Sequence, residues 1–222
     1  MMIMGSSLLS QAAATRPTVV VFQFTVSSTN SGDQAAPASE CSDRLYSEVF
    51  DGLLRSNRVN AVAFDPRCST VKRAIMEKTI KSSDLSGPAD ASAASVDTAA
   101  KLGAVMGADY ALIGNIDNYS YPDKLGRVSL GVTTLVIDTR TGSVRNSITE
   151  TAHGVILPTD KTSDEATRRG NAISDAKDDV LSNLLTMDQS GPVATKEKLD
   201  ASKSTGSNAV FGFLMGVILG AI

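Results

Sequence analysis

Two aspartates, one histidine and two cysteines are the residues whose types could carry chemistry. Asp117 and Asp138 fall on adjacent predicted strands and could form a carboxylate pair. Such a pair hydrolyses bonds when its environment pushes the two pKa values apart. Asp138, however, sits in D-T-R-T-G, where an aspartate caps backbone N–H groups of a turn, and the turn role is the favoured reading. His153 is the only histidine, which leaves His-based metal sites and His-dependent triads without their parts. It is expected on a half-exposed strand face. Cys41 and Cys68 lack the close spacing of a zinc site. The glycines of K-L-G-A-V-M-G-A-D end a predicted helix and precede a strand, the reverse of a phosphate loop, so they read as a C-cap with close helix–sheet packing. No G-x-S-x-G elbow occurs. The expectation is a protein without catalytic residues, cofactor or metal.

The elements that position these residues follow from periodicity. The chain has 222 residues, 42% apolar and 20% charged, with a net charge of -3. That describes a globular domain of ordinary size with tails. Lys and Arg are interleaved with acids and there is no Trp, so nucleic acid is not an expected partner. The β-branched run in Arg16–Val26 reads as a buried strand, and residues 27–39, rich in Ser, Ala, Gly and Pro, as a loop. Ser42 and Asp43 are expected to cap a helix reaching Ser56 whose apolar residues Leu45, Val49 and Leu53 recur every turn. A short strand spans Val59–Phe64, and Asp65-Pro66 opens the next helix. An alanine-rich helix ends at Gly107. Strands follow over 109–119, 126–139 and 143–156, the last two joined by a turn at Thr141-Gly142 with positive φ at the glycine. The apolar face of 126–139 switches near Thr133 and Thr134, which a β-bulge there would explain. Residues 163–185 form the last helix.

The resulting order, β-α-β-α-α-β-β-β-α, predicts an α/β fold of α+β character, with helices packed on a mixed sheet. The first two strands, joined by a helical crossover, are expected to be parallel. The organisation is a signal-like segment over 1–15, the α/β domain over 16–187, a polar linker over 188–208 and an apolar tail over 209–222. Residues 1–14 close on Ala12, Ala13 and Ala14, like a cleavage site, but lack a basic start; they read as a clipped signal peptide. If the protein is exported, Cys41 and Cys68 are expected to form a disulfide, since both lie at helix starts on one sheet edge; in a reducing compartment two free thiols are expected. In the tail, Gly212, Gly216 and Gly220 recur every fourth residue and share one helical face, a pattern that lets helices approach closely. The tail is expected to mediate self-association or contact with a membrane surface.

Two stretches resemble a known family. The segment A-A-K-L-G-A-V-M-G-A-D-Y-A-L-I-G-N-I, and the hairpin L-V-I-D-T-R-T-G-S-V with its following T-E-T-A-H-G, are similar to the CsgG family, the curli production assembly/transport component. The same α/β architecture recurs in the amino-terminal domain of TolB and in periplasmic activators of peptidoglycan synthases. The resemblance covers roughly Pro17 to Leu185. It implies a periplasmic or envelope-associated protein that binds, scaffolds or secretes, with protein partners and oligomers. The connections at Ser120–Leu125 and Leu157–Thr162 are too short for membrane-spanning hairpins, each strand of which takes about 9–11 residues. A scaffold relative without a pore is the expectation.

Overall fold

The structure, a computed structural model, describes residues 16–30, 32–121, 127–154 and 164–185. Its elements are β1 (Thr18–Val21), β2 (Thr25–Val26), α1 (Ala35–Ser56), β3 (Asn60–Ala63), α2 (Ser69–Met76), α3 (Ala93–Val105), β4 (Tyr110–Ser120), β5 (Val128–Asp138), β6 (Val144–Gly154) and α4 (Glu165–Leu185). Single 3-10 turns span Gly32–Gln34 and Ser82–Ser86. The sheet runs β3-β1-β4-β5-β6, with β2 alongside β4. β1 pairs in parallel with β3 and with β4, while β4, β5 and β6 are antiparallel neighbours. The predicted mixed α/β sheet is therefore observed.

Chain direction explains the two helical layers. The connection from β1 to β3 moves one way across the sheet; that from β3 to β4 returns past β1. Right-handed crossovers in opposite directions must place their helices on opposite faces. Accordingly, α1 and α4 bury Leu45, Val49, Ile173 and Val180 against Val19, Val21, Leu112 and Val132. On the other face α2 and α3 bury Val71, Val96 and Leu102 against Val20, Phe22, Ala111, Ile113 and Leu135.

The same winding overturns the expected disulfide. Cys41, on α1, belongs to the first core, and Cys68, just before α2, packs against the second. The sheet stands between them and both are free. Sharing one edge of the sheet was insufficient, because the crossovers put the two helices on different faces.

Several boundaries also move. The run read as one strand breaks at Phe22–Phe24 into β1 and β2. The helix expected from Ser42 begins at Ala35, with Pro37 in its first turn, where a missing N–H costs nothing. Ser42 is buried instead, and its hydroxyl donates to Phe24 O at 2.7 Å. Asp65 accepts from Arg67 N at 2.8 Å and shapes a turn ahead of α2, which starts only at Ser69. Residues 1–15, the linker and the tail, with Gly212, Gly216 and Gly220, lie outside the described residues.

Candidate interaction face

The expected bulge exists, but on a different strand. β5 runs unbroken through Thr133 and Thr134, while β4 shifts register between Ile116, opposite Val132, and Asn118, opposite Gly131. Asp117 is the extra residue. A second irregularity lies at Arg145 in β6, between the pairs Val136–Asn146 and Ile137–Val144. The apolar switch along β5 has another cause. From Leu135 onward both faces are covered, by α3 on one side and by α1 and α4 on the other. Before it, Val128, Leu130, Val132 and Thr134 are buried, and Ser129, Gly131 and Thr133 look out from the side that no described helix reaches.

That uncovered half-face is polar and connected. Thr25 Oγ1 donates to Asn115 Oδ1 at 3.0 Å. Asn115 Nδ2 donates to one Asp117 oxygen at 2.5 Å, and Thr133 Oγ1 donates to the other. Thr133 and Thr149 hydroxyls lie 3.2 Å apart. A row of side chains thus crosses β2, β4, β5 and β6. Beside it, Asn118, Ser147, Thr149 and Thr151 are exposed. The bulge adds to this face: Asn118 Cβ stands 3.5 Å from where a side chain on Gly131 would begin, so Asp117 and Asn118 both project there. The frame returns to register at Tyr119, which points into the opposite core and donates from its hydroxyl to Glu165 at 2.8 Å. Burial, then the Glu165 carboxylate, push the Tyr119 phenol well above its usual range.

A bulge leaves backbone groups unpaired, and the loop after β2 supplies their partners. Asn30 Oδ1 accepts from Tyr119 N at 2.7 Å; its Nδ2 donates to Ile116 O at 3.2 Å and Asp117 O at 3.4 Å. Thr29 Oγ1 donates to Asp117 O at 2.8 Å. Asn30 was not legible as a functional residue, because the bulge it serves was assigned to another strand.

The other candidates resolve into structural work. Asp138 Oδ1 accepts from Arg140 N and Thr141 N, each at 3.0 Å, and Arg145 stands 3.5 Å from its other oxygen. Gly142 closes the turn at φ +67°. Asp117 and Asp138 lie seven register positions apart along β4, roughly 23 Å by strand rise, so no carboxylate pair forms. Burial raises the Asp138 pKa, but the turn N–H groups and Arg145 outweigh it, and the net shift is downward. A carboxyl depressed in the fold contributes stability that is complete above its unfolded pKa, about 3.9, and is lost as pH falls through the lower folded value. Melting temperatures of the parent and Asp138→Asn should therefore differ at pH 7 and converge below about pH 4. A constant difference across that range would remove ionised Asp138 from the turn's stability.

His153 is partly buried at the end of β6; its N–H points to Asp175 at 3.4 Å, and its Nδ1 is enclosed without a hydrogen-bond partner among the described residues. Cys41 is fully buried, and burial, partly opposed by Arg169, pushes its thiol up to about 11. Cys68 is half-buried, 3.1 Å from Thr70 Oγ1. A maleimide at pH 8 is expected to label Cys68 in the native protein and both thiols in denaturant. Rapid native labelling at both would contradict the burial of Cys41.

In sheets wound this way, ligands usually enter where the crossovers diverge, here between β1 and β4. That crevice is filled. The chain beyond β1 continues as β2 beside Asn115 and Ile116, and the Phe24 ring lies 2.7 Å from where a side chain on Gly114 would begin. Surface clefts among the described residues include two. One, of about 570 Å³, lies between α1 and α4 at Arg44, Glu48 and Asn171; the other, of about 600 Å³, lies beside His153, Asp175 and Asp178. Among the described residues no group of three potential ligands could hold a metal, and no helix is long and apolar enough to cross a membrane.

No family model matches the chain, and no curated protein matches it by sequence. Solved structures similar to it include a PelC dodecamer from Paraburkholderia phytofirmans, at 14% identity over 73% of this chain and 87% of that one, with a TM-score of 0.42. Lipoprotein GNA1162 from Neisseria meningitidis is 11% identical over 75% of this chain and 99% of that one, with a TM-score of 0.40. The LpoB C-terminal domain from Salmonella enterica is 14% identical over 64% and 85%, with a TM-score of 0.34. The resemblance to the CsgG family is thereby corrected: these neighbours are not CsgG. The quoted words have local causes. Gly107 turns at φ +70°, Asp109 accepts from Thr18 N at 2.8 Å, Gly114 makes room for Phe24, and Asp138 with Gly142 forms a turn. Such residues specify a helix-to-strand junction and a hairpin, and those needs are not peculiar to one family.

Proposed function

We propose that the chain is a non-catalytic binding and assembly module of the cell envelope, and that it engages a protein partner through the uncovered half-face of its sheet. One observation carries this reading. Hydroxyl, amide and carboxylate groups of β2, β4, β5 and β6 form a connected row on a face that no described helix covers, anchored on the buried Asn115 and reaching the surface at Asp117, Thr133 and Thr149. An array held on rigid strands is pre-organised, so little side-chain entropy is lost when a partner docks. The ionisable groups a catalyst would need are engaged elsewhere: Asp138 holds a turn, Asp109 anchors the start of β1 and Glu165 holds Tyr119. The envelope setting rests on the signal-like residues 1–14.

The test is affinity capture from an envelope fraction with the full chain, its Ser129→Arg and Asn118→Arg variants, and Lys78→Glu as a distant control. The reading expects one partner retained by the parent and the control and lost from both face variants. Capture unaffected by either face variant would contradict it. Fractionation of cells expressing the chain with and without residues 1–14 tests the setting: both forms remaining in the cytoplasm would overturn it.

A further inference from the structure

The hydrogen-bonding pattern of the hairpin fixes which backbone groups of β6 face outward. Asp138 N donates to Ser143 O, so Asp138 bonds toward β6. Direction alternates along an antiparallel strand, so Val136, Thr134, Val132, Leu130 and Val128 do the same. Their partners Asn146, Ile148, Glu150, Ala152 and Gly154 therefore bond inward. Ser147, Thr149, Thr151 and His153 must then aim their N–H and C=O away from the sheet. His153 confirms this directly, because its N–H meets Asp175 of α4 rather than β5.

Among the described residues, this outer edge is closed at both ends and open between them. Asp175 occupies the His153 N–H, and the extra residue Arg145 breaks the strand's regularity at the other end. Between lie three outward residues, Ser147, Thr149 and Thr151, all exposed. Sheet edges are ordinarily guarded by Lys, Pro or inward charges. None of these stands on the outward residues here.

We infer that β6 pairs antiparallel with β6 of a second copy of this chain, centred on Thr149. The two ends select this occupant. A long foreign strand would run into Asp175 at one end and the irregularity at Arg145 at the other, whereas a copy carrying the same ends presents a stretch of matching length. A two-fold axis normal to the sheet pairs a residue with its own counterpart. Only an axis at Thr149, the middle of the three, engages all of them: Thr149 faces Thr149, and Ser147 faces Thr151. Each outward pair exchanges two hydrogen bonds, about six in all. Glu150 then falls opposite Ile148 of the second copy, so no like charges meet directly. Pairing joins the two uncovered half-faces into one surface.

The register is tested by cysteine placement in the full chain carrying Cys68→Ser. Opposed residues of a hydrogen-bonded pair have Cα atoms about 5.5 Å apart, within disulfide range. Thr149→Cys is expected to yield a disulfide-linked dimer under mild oxidation. Thr151→Cys alone should stay monomeric, and Ser147→Cys with Thr151→Cys should cross-link. Thr149→Cys remaining monomeric, or Thr151→Cys linking equally well, would overturn the proposal. Sedimentation in mild detergent supplies an independent arm. Thr149→Pro deletes only an outward N–H, which edge strands tolerate, and should abolish dimers while leaving the melting temperature near that of the parent. Gly216→Leu should leave them intact. Dimers lost in Gly216→Leu but kept in Thr149→Pro would assign association to the tail and overturn the pairing. Neither result bears on capture of a foreign partner by Ser129 and Asn118.

Discussion

Replacing Gly154 by alanine is expected to cost about 3 kcal/mol and to lower the melting temperature by about 6–12 °C. Gly154 ends β6 where α4 crosses beneath it. A side chain built there would start 2.0 Å from Arg168 O, with the carbonyl carbon at 2.8 Å. Both are backbone atoms of a helix, so no rotamer change relieves the overlap; α4 or β6 must move. A contrasting case is Gly52, whose added carbon would meet Leu181 Cδ1 at 2.3 Å, the far end of a flexible side chain. Gly52→Ala should therefore cost less than Gly154→Ala. Thermal unfolding of the two variants beside the parent checks the order. Equal losses, or a parent-like Gly154→Ala, would mean that α4 does not lie this close to the sheet.

Asn30→Ala is expected to cost about 2 kcal/mol, although it removes only one small polar side chain. The loss comes from what remains. Tyr119 N would be left without its acceptor, while Ile116 O and Asp117 O would each lose one donor and keep another, Ser27 N and Thr29 Oγ1. Unpaired buried groups cost about 1–3 kcal/mol apiece, more than the net gain from making an ordinary hydrogen bond. Asn30→Asp separates the two halves of the role. A carboxylate still accepts from Tyr119 N but opposes the two carbonyls, so this variant should be least stable at neutral pH and recover as acid protonates the new side chain. Urea unfolding at pH 7 and pH 4 measures both. Parent-like stability of Asn30→Ala would show that the bulge is held some other way.

These two positions also mark where the sequence was legible. Helix and strand types followed from periodicity, because burial on one stripe or on alternate residues leaves a direct trace: Leu45, Val49 and Leu53 on α1, and Val128, Leu130 and Val132 on β5. The D-T-R-T-G turn was readable because Asp138 and Gly142 meet local demands. Tertiary information was not. The alternation change at Thr133 was seen, but a pattern cannot distinguish an inserted residue from the limit of a covering helix layer, and the second was the cause. The Cys41–Cys68 pairing failed for a related reason: adjacency along one edge was weighed, and the direction of the crossovers was not. The start of α1 was missed because Ser, Ala and Pro in 35–39 look like a loop until Pro37 is placed in a first turn. The polar row joining Thr25, Asn115, Asp117, Thr133 and Thr149 depends on strand order, which no local signal encodes.

The central claim, that the uncovered half-face is where this protein meets its partner, is tested most directly by photo-cross-linking in intact cells. A photoreactive residue is placed in turn at Asn118, at Ser129 and, as controls, at Arg55 and Lys78, away from that face. The account predicts one discrete adduct with a second protein from Asn118 and from Ser129, and none from either control. No adduct from the face positions, or the same adduct from all four, would contradict it.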